Sequence, residues 1–260
     1  MIYQIIPQFI IYIFAIFVSF YLPGFLLISF LKIKSKLTCI LLSHVLGIVM
    51  WGIQGYIFGY LNMRWGTYLY IGLACLSCII YQRHSLVKVY AIFPKIIFTN
   101  KITAILISIG IITQLLPVVG SGFHSDAGMR FFGNNAYDGL THLGFIQSII
   151  DHFPPVEPGS YDIPLRNYHY FSDLVIAELS RIWRIPITLL LFQFIPLLVS
   201  FLTGIAGYLL VRSFGGSKKM GNWIVFLSYF AGDGAYIFML ILHKTFGFYT
   251  PAIDNGAMQF

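Results

Sequence analysis

Acidic and histidine side chains concentrate in one stretch of an otherwise apolar chain. Seven of the nine acidic residues lie between Asp126 and Glu178, and four of the seven histidines fall there too once the stretch is extended to His124. Carboxylates and imidazoles are the side chains that most often move protons in enzymes. Because ionisable groups are costly beside a bilayer, such a cluster indicates a site that faces water and has a function.

Asp138 and His142 form the most suggestive pair in this stretch. They lie four residues apart with Thr141 between them, so a helix would place all three on one face. Asp138 is a candidate catalytic base, and it is also well suited to cap the start of a helix. His142 could bind substrate or simply make an interfacial hydrogen bond. Two ligands are too few to argue for a metal, so a divalent cation stays open.

The composition predicts an all-α, polytopic integral membrane protein. Hydrophobic residues make up 58% of the 260 residues and charged residues only 10%, which excludes an ordinary soluble domain. The first apolar run is too long for a cleaved signal peptide. The net charge of +7 comes from bases in loops beside apolar runs, so it does not indicate nucleic-acid binding. The three cysteines lie in or beside these runs and should be buried thiols.

About six apolar runs approach the length needed to cross a bilayer as helices. Pro23 should kink the first run, and Pro186 should open the fifth. The predicted spans are 5–31, 39–60, 66–82, 102–120, 187–211 and 222–242. We therefore expect four spans in 1–120, a large loop in 121–186 and two further spans in 187–260. The chain ends soon after the last span, and we expect it to be truncated at the C-terminus.

Lysine and arginine predict which side of the membrane the large loop occupies. Of the 16 Lys and Arg residues, ten fall in loops on one side of the predicted spans and six on the other. The side with more bases is expected to be cytoplasmic. The loop 121–186, called the acidic loop below, would then lie outside the cytoplasm in a multi-pass protein of the cell membrane.

The acidic loop should contain two short amphipathic helices, at 138–152 and 168–183. Both are too short and too polar to span comfortably, so we expect them to lie in the membrane interface. The prolines of 153–159 should keep the linker between them extended. The apolar stripe of the first helix would consist of Leu140, Leu143, Ile146 and Ile150.

The second of these helices carries two polar pairs at helical spacing. His169 and Asp173 should share a face, where they could hydrogen-bond to each other. Glu178 and Arg181 are expected to form an ordinary surface ion pair.

The acidic loop resembles the corresponding part of the GT-C class of polytopic glycosyltransferases, in particular its poorly characterised prokaryotic members. The resemblance covers about 120–185 closely and the spans only in shape. In this class an Asp is followed four residues later by a His at the start of an outward-facing helix, and a proline turn and a Tyr-His-Tyr-like segment follow. The matching letters are NNAYDGLTH at 134–142, FPP at 153–155, YDIPL at 161–165 and YHY at 168–170.

The resemblance implies an enzyme that takes a sugar from a polyprenyl-phosphate donor among the membrane lipids. It would transfer the sugar, on the outer face, to a glycan, lipid or protein acceptor. Asp138 matches the acid that serves as general base or helps bind the acceptor. The adjacent acids or Asp-x-Asp that part of the class carries are not found beside it, which leaves metal dependence open.

The implied reaction also needs cations or donors that face the leaving phosphate and aromatic rings that can stack on a sugar. The tyrosines of the loop could instead form an aromatic belt at the membrane interface. The candidate substrate-binding residues are His142, Arg130, Arg166, Tyr168, His169, Tyr170 and Asp233.

Asp233 also supports a different interpretation. It lies between two glycines in the sixth predicted span, and an ionisable group at that depth suggests a function. Broken helices near mid-membrane are typical of transporters, so the alternative is a transporter or channel-like protein with Asp233 as its intramembrane site. A third is a non-catalytic assembly partner. The transferase is favoured because we find no internal repeat and because the richest polar segment lies outside the spans.

Overall fold

The computed structural model describes residues 2–31, 33, 35–82, 100–125, 128–160, 163–166 and 168–231. Within these residues the chain is mostly helical, as the composition predicts. Asp233, Tyr161 and the second half of the sixth predicted span lie outside the described residues.

Helices account for nearly every described element. The α-helices are α1 (Ile2–Ile16), α2 (Leu22–Ser29), α3 (Lys36–Tyr60), α4 (Gly66–Ser77), α5 (Lys101–Leu115), α6 (Asp138–Asp151), α7 (Phe171–Trp183), α8 (Ile187–Leu189), α9 (Ile195–Ser213) and α10 (Lys218–Phe230). Three π-helical turns occupy Phe17–Tyr21, Cys78–Gln82 and Leu190–Phe194, and a 3-10 turn occupies Gly133–Ala136. Two short strands, β1 (Phe123–Ser125) and β2 (Gly128–Arg130), pair antiparallel.

Three helical stretches are long and apolar enough to cross a membrane: Ile5–Ser29, Lys36–Tyr60 and Ile187–Ser213. They correspond to the first, second and fifth predicted spans. The third and fourth predicted spans come out as the shorter apolar helices Gly66–Tyr81 and Lys101–Leu115. At about 1.5 Å per residue, α5 covers only ~22 Å of a hydrocarbon core that is ~30 Å thick. By length and composition, the structure therefore supports three of the six predicted spans.

Two of these long helices contain a π-helical turn directly before a proline. The turn Phe17–Tyr21 precedes Pro23, and the turn Leu190–Phe194 precedes Pro196. A proline inside a helix donates no hydrogen bond to the carbonyl four residues earlier, and its ring needs extra room. Widening the preceding turn is a common way to accommodate this. The break predicted at Pro23 takes this form, and Pro186 lies at the start of α8 as predicted.

The described chain divides into two compact units, each assembled from two separate stretches. Unit 1 comprises described residues of Met1–Ile96 and Leu140–Phe194, and unit 2 comprises those of Ile97–Gly139 and Ile195–Phe260. Most of the acidic loop after Gly139 therefore belongs to the same unit as the first two long helices.

In unit 1, the first long helical stretch, Ile5–Ser29, and α3 make direct backbone contact through two glycines. A Cβ atom at Gly24 would lie 1.8 Å from the carbonyl oxygen of Ser43. A Cβ atom at Gly47 would lie equally close, 1.8 Å, to the carbonyl oxygen of Phe20. Small residues that let helix backbones touch are typical of packing between membrane helices.

Helix α7 packs against the second half of α3 and is enclosed on all sides over two turns. Phe171 occupies the space that the missing side chain of Gly52 leaves open. The indole Nε1 of Trp51 donates to the carbonyl oxygen of Val175 at 3.2 Å. Every residue from 173 to 179 is buried. The helix predicted at 168–183 is confirmed, with its start three residues later at Phe171, and neighbouring helices bury its residues 173–179.

The linker after α6 is not helical, as its prolines predict, but it is extended only around Val156, with a bend at 153–154 and a turn at 158–159. Val156 forms an antiparallel bridge with Pro164. The Ser148 hydroxyl of α6 fixes this strand, since it donates to the Val156 carbonyl at 2.7 Å and accepts from the Val156 N–H at 2.9 Å.

Unit 2 is built from α5, α9 and α10 around Tyr229. The Tyr229 hydroxyl donates to the carbonyl oxygen of Ser200 at 2.7 Å. Gly110 and Gly204 provide the room, because a Cβ atom at either would lie 2.3 Å from the tyrosine side chain.

Candidate functional site

Helix α6 begins at Asp138 and ends at Asp151, one residue short of the predicted end. Its buried face differs from the predicted stripe, since Leu140 is 48% exposed. Besides the partly buried His142, this face carries the buried residues Phe145, Ile146 and Ile149. The positions follow the i, i+3, i+4, i+7 spacing of one helix face, so His142 lies on the packed side of α6.

His142 pairs with Asp173 of α7. The His142 Nδ1 atom lies 2.9 Å from Asp173 Oδ1. The carboxylate is 1% exposed, while 34% of the histidine side chain remains accessible. The pair therefore consists of an enclosed acid and a partly exposed imidazole.

Aromatic rings flank this imidazole. Phe145 packs edge-on to His142 with ring centroids 6.2 Å apart, and the Tyr168 ring lies 6.4 Å from it. Tyr168 in turn stacks on His169, with centroids 4.9 Å apart and planes 19° from parallel. The Tyr168 ring thus lies between Phe145 and His169, with centroids 4.4 and 4.9 Å away.

Two histidines offset part of the effect of burial on the pKa of Asp173. Burial raises the pKa of Asp173 above its usual range, and the neighbouring His142 lowers it again through charge and hydrogen bond. His169 lowers the pKa further through charge alone. A carboxyl group perturbed by burial and by specific partners is a recognised indicator of a functional site.

The two oxygens of Asp173 differ in their environment. Oδ1 accepts from His142, whereas Oδ2 is buried and has no hydrogen-bond partner among the described residues. An unsatisfied buried oxygen costs stability, so native structures rarely keep one without a reason.

Glu178, five residues further along α7, provides a contrast. It is also 1% exposed, yet both of its oxygens are satisfied. Oε1 accepts from Nε of Arg64 and from Nε of Arg181, each at 3.2 Å. Oε2 accepts from the Thr67 hydroxyl at 3.3 Å and also pairs with Arg181 Nη2. The expectation of an ordinary surface pair between Glu178 and Arg181 is therefore wrong. The carboxylate is buried, and Arg64 binds it together with Arg181.

The same network ties α4, α6 and α7 together, and we call it the Glu178 network (Arg64, Thr67, Glu178 and Arg181). Arg64 Nη1 donates to the carbonyl oxygens of Ile149 and Ile150 at the end of α6, at 2.8 and 2.9 Å. Arg181 Nη2 donates to the carbonyl oxygen of Arg64 at 3.0 Å. By fixing the end of α6 against α7, the network holds His142 opposite Asp173.

Tyr170, a predicted substrate-binding residue, lies inside an aromatic cluster. It is 7% exposed, and its hydroxyl lies 3.4 Å from the hydroxyl of Tyr60. Tyr56 packs on it with centroids 5.4 Å apart. Burial raises the pKa of Tyr170 well above its usual range, and the Tyr60 hydrogen bond adds to this.

The remaining predicted site residues are distributed over both units. Asp138 and Arg130 are exposed and belong to unit 2, whereas Arg166 and His169 are exposed in unit 1. His169 precedes α7 instead of lying within it, so the shared helix face with Asp173 predicted for it is wrong. Around His142 the structure thus brings together His169, Tyr168 and Asp173.

Asp173 is the functional candidate that sequence reasoning placed with the wrong partner. Its hydrogen bond joins residues 31 positions apart, and no local spacing reveals it. The sequence did contain a signal for this role. Asp173 lies directly before the apolar run of α7, and a carboxylate that is buried with its helix needs a hydrogen-bond partner. Likewise Arg64 pairs with Glu178 across 114 positions.

Metal binding has no geometric support in the described part of the chain. No group of three or more His, Cys, Asp or Glu side chains there could hold a metal ion. Comparison with protein-family models, with curated proteins and with solved structures finds no match to this chain.

Proposed function

We propose that this chain is a membrane-integral glycosyltransferase of the GT-C type. It takes a sugar from a polyprenyl-phosphate-linked donor in the bilayer and transfers it to a glycan, lipid or protein on the outer face of the cell membrane. Asp138 serves the reaction as general base or as the acid that orients the acceptor.

The observation that carries this proposal is the His142–Asp173 pair. A helix of the acidic loop that starts with Asp138 holds an accessible imidazole against an enclosed carboxylate at 2.9 Å. Rings that can stack on a sugar lie beside it. Groups that can transfer a proton lie next to aromatic rings, as transfer to a hydroxyl acceptor requires. The chain also has three helices of membrane length, which suits a donor carried by a lipid.

The proposal includes all six spans. The shorter helices Gly66–Tyr81 and Lys101–Leu115 would cross with local thinning of the bilayer, which costs only a fraction of a kcal/mol per Å of mismatch. Arg64 follows α3 and contacts both α6 and Glu178. This supports a common side for the α3–α4 connection and the second half of the acidic loop.

Transfer on the outer face requires the acidic loop to lie outside the cytoplasm. With the excess of bases on the other side, a cysteine at Glu157 should react with a membrane-impermeant maleimide in intact cells. A cysteine at Lys218 should react only after permeabilisation. Both positions are exposed, and the unsubstituted chain, with Cys39 and Cys78 buried, gives the background. The reverse labelling pattern would place the acidic loop in the cytoplasm and contradict outer-face transfer.

The activity itself can be tested with labelled sugars. Cells with and without the gene for this protein are fed a panel of radiolabelled sugars, and their lipid-linked and acceptor-linked sugars are extracted and separated. Loss of the protein should remove one labelled product and leave its lipid-linked donor to accumulate. Identical donors and products in both strains, over the whole panel, would rule the proposal out.

A further inference from the structure

We infer that His142 accepts the proton of the acceptor hydroxyl and that Asp173 is the residue that positions it. This inference rests on the proposed transferase function and decides between the two roles left open for Asp138. The inference follows from three observations. They are the geometry of the His142–Asp173 pair, the different exposure of its two side chains, and the different hydrogen bonding of Asp173 and Glu178.

The hydrogen bond to Asp173 determines which of the two ring nitrogens of His142 carries the hydrogen. An ionised carboxylate can only accept, so the Nδ1 atom of a neutral His142 must carry the hydrogen. The Nε2 atom then holds a free lone pair. Nε2 has no hydrogen bond to another described residue, and about a third of the side chain is open to a substrate. A neutral imidazole held in this way is a proton acceptor.

A purely structural role would give Asp173 a different environment. Glu178, on the same helix and equally buried, shows that environment, since both of its oxygens receive hydrogen bonds and none of its partners is a histidine. Asp173 instead bonds an accessible histidine through one oxygen and leaves the other unsatisfied among the described residues. Buried carboxylates of this kind commonly orient a histidine for its task.

The reaction step balances without a further reactant. The acceptor oxygen forms a bond to the anomeric carbon of the sugar as its O–H bond breaks. The bond between that carbon and the phosphate oxygen breaks, and the lipid phosphate leaves with the electron pair. The hydroxyl proton moves to Nε2 of His142, and the resulting imidazolium is stabilised by the Asp173 carboxylate. Asp138 then orients the acceptor.

Nitrogen NMR tests the positioning without any assay of transfer. The full chain, labelled with ¹⁵N-histidine, reconstituted in nanodiscs and measured at alkaline pH, should show His142 protonated at Nδ1 and unprotonated at Nε2. The signal is assigned by its loss in His142→Asn. Asp173→Asn should shift the populations of the two ring forms, whereas His152→Asn, at an exposed histidine just after α6, should not. A wild-type His142 protonated mainly at Nε2 would overturn the inference.

Kinetics test the chemical role. His142→Asn should lower kcat by about 10²–10⁴-fold, as expected for a lost general base. Asp173→Asn should also lower kcat, by up to about 10⁴-fold, the loss found when the carboxylate that orients a general-base histidine becomes an amide, and leave KM nearly unchanged. The matched control His152→Asn should keep full activity. Retention of wild-type kcat by a folded His142→Asn protein would overturn the inference.

The two experiments separate this inference from the proposed function. If the wild-type chain transfers no sugar from any donor, the proposed function fails while the NMR result still decides whether Asp173 positions His142. If the wild type transfers sugar and the His142 variant does so equally well, only the inference fails. Thermal unfolding of each variant identifies a loss of activity that comes from misfolding. If a variant misfolds, the NMR spectrum of the wild-type protein alone decides whether Asp173 positions His142.

Discussion

Replacing Glu178 with alanine should destabilise unit 1 by roughly 3–5 kcal/mol, the range found when one member of a buried ion pair is removed. The substitution leaves the guanidinium groups of Arg64 and Arg181, only 18% and 17% exposed, close together without their shared counter-ion. It also removes one of the two acceptors within reach of the buried Thr67 hydroxyl, the other being Gln54 Oε1 at 2.9 Å. Reversible unfolding of the protein in mixed micelles, followed by tryptophan fluorescence, measures the change.

Glu157→Ala is the matched control for this experiment. Glu157 is exposed, so its loss should change the unfolding free energy by no more than about 0.5 kcal/mol. Arg64 and Glu178 belong to one network. The double variant Arg64→Ala/Glu178→Ala should therefore lose less stability than the sum of the losses in the two single variants. Strictly additive losses, or a Glu178→Ala protein as stable as the control, would contradict the structural role of the Glu178 network.

Asp138→Asn should keep the fold and reduce sugar transfer by about 10²-fold, the loss that misplacement of a reactant can cause. The amide keeps the size of the side chain and removes only its charge. Asp138 is exposed in the first turn of α6, so little packing is disturbed. The rate of transfer from the lipid-linked donor, normalised to folded protein, is the measurement.

The size of the loss discriminates between the two roles of Asp138. A fall close to 10⁴-fold would fit a lost general base and would contradict the assignment of the proton to His142. Unchanged transfer would leave Asp138 as an acid that merely favours the helix N-terminus. Asp151→Asn, at the exposed opposite end of α6, is the matched control and should remain active.

The sequence by itself determined the elements that depend on local patterns. The apolar composition predicts a helical membrane chain, and prolines predict both the break before Pro23 and the non-helical linker after α6. The start of α6 at Asp138 also follows from local sequence. Helical periodicity, capping and the missing N–H of proline act over only a few residues, so each can be recognised in a single sequence.

Only the tertiary structure decided which side chains work together. A stripe of apolar residues indicates that a helix is packed, but it does not fix the rotation of that helix against its neighbours. This is why Leu140 was expected inside and is exposed, while His142 lies on the packed face opposite Asp173.

The burial of Glu178 shows the same dependence on distant contacts. Its partner Arg64 is 114 residues away, and the local spacing to Arg181 indicated only a surface pair. The acid is tolerated in the interior because the α3–α4 connection, α4 and α7 each supply a donor there. Whether a charged residue in an apolar chain is exposed or buried depends on the sum of such contacts, which exists only once the helices have packed.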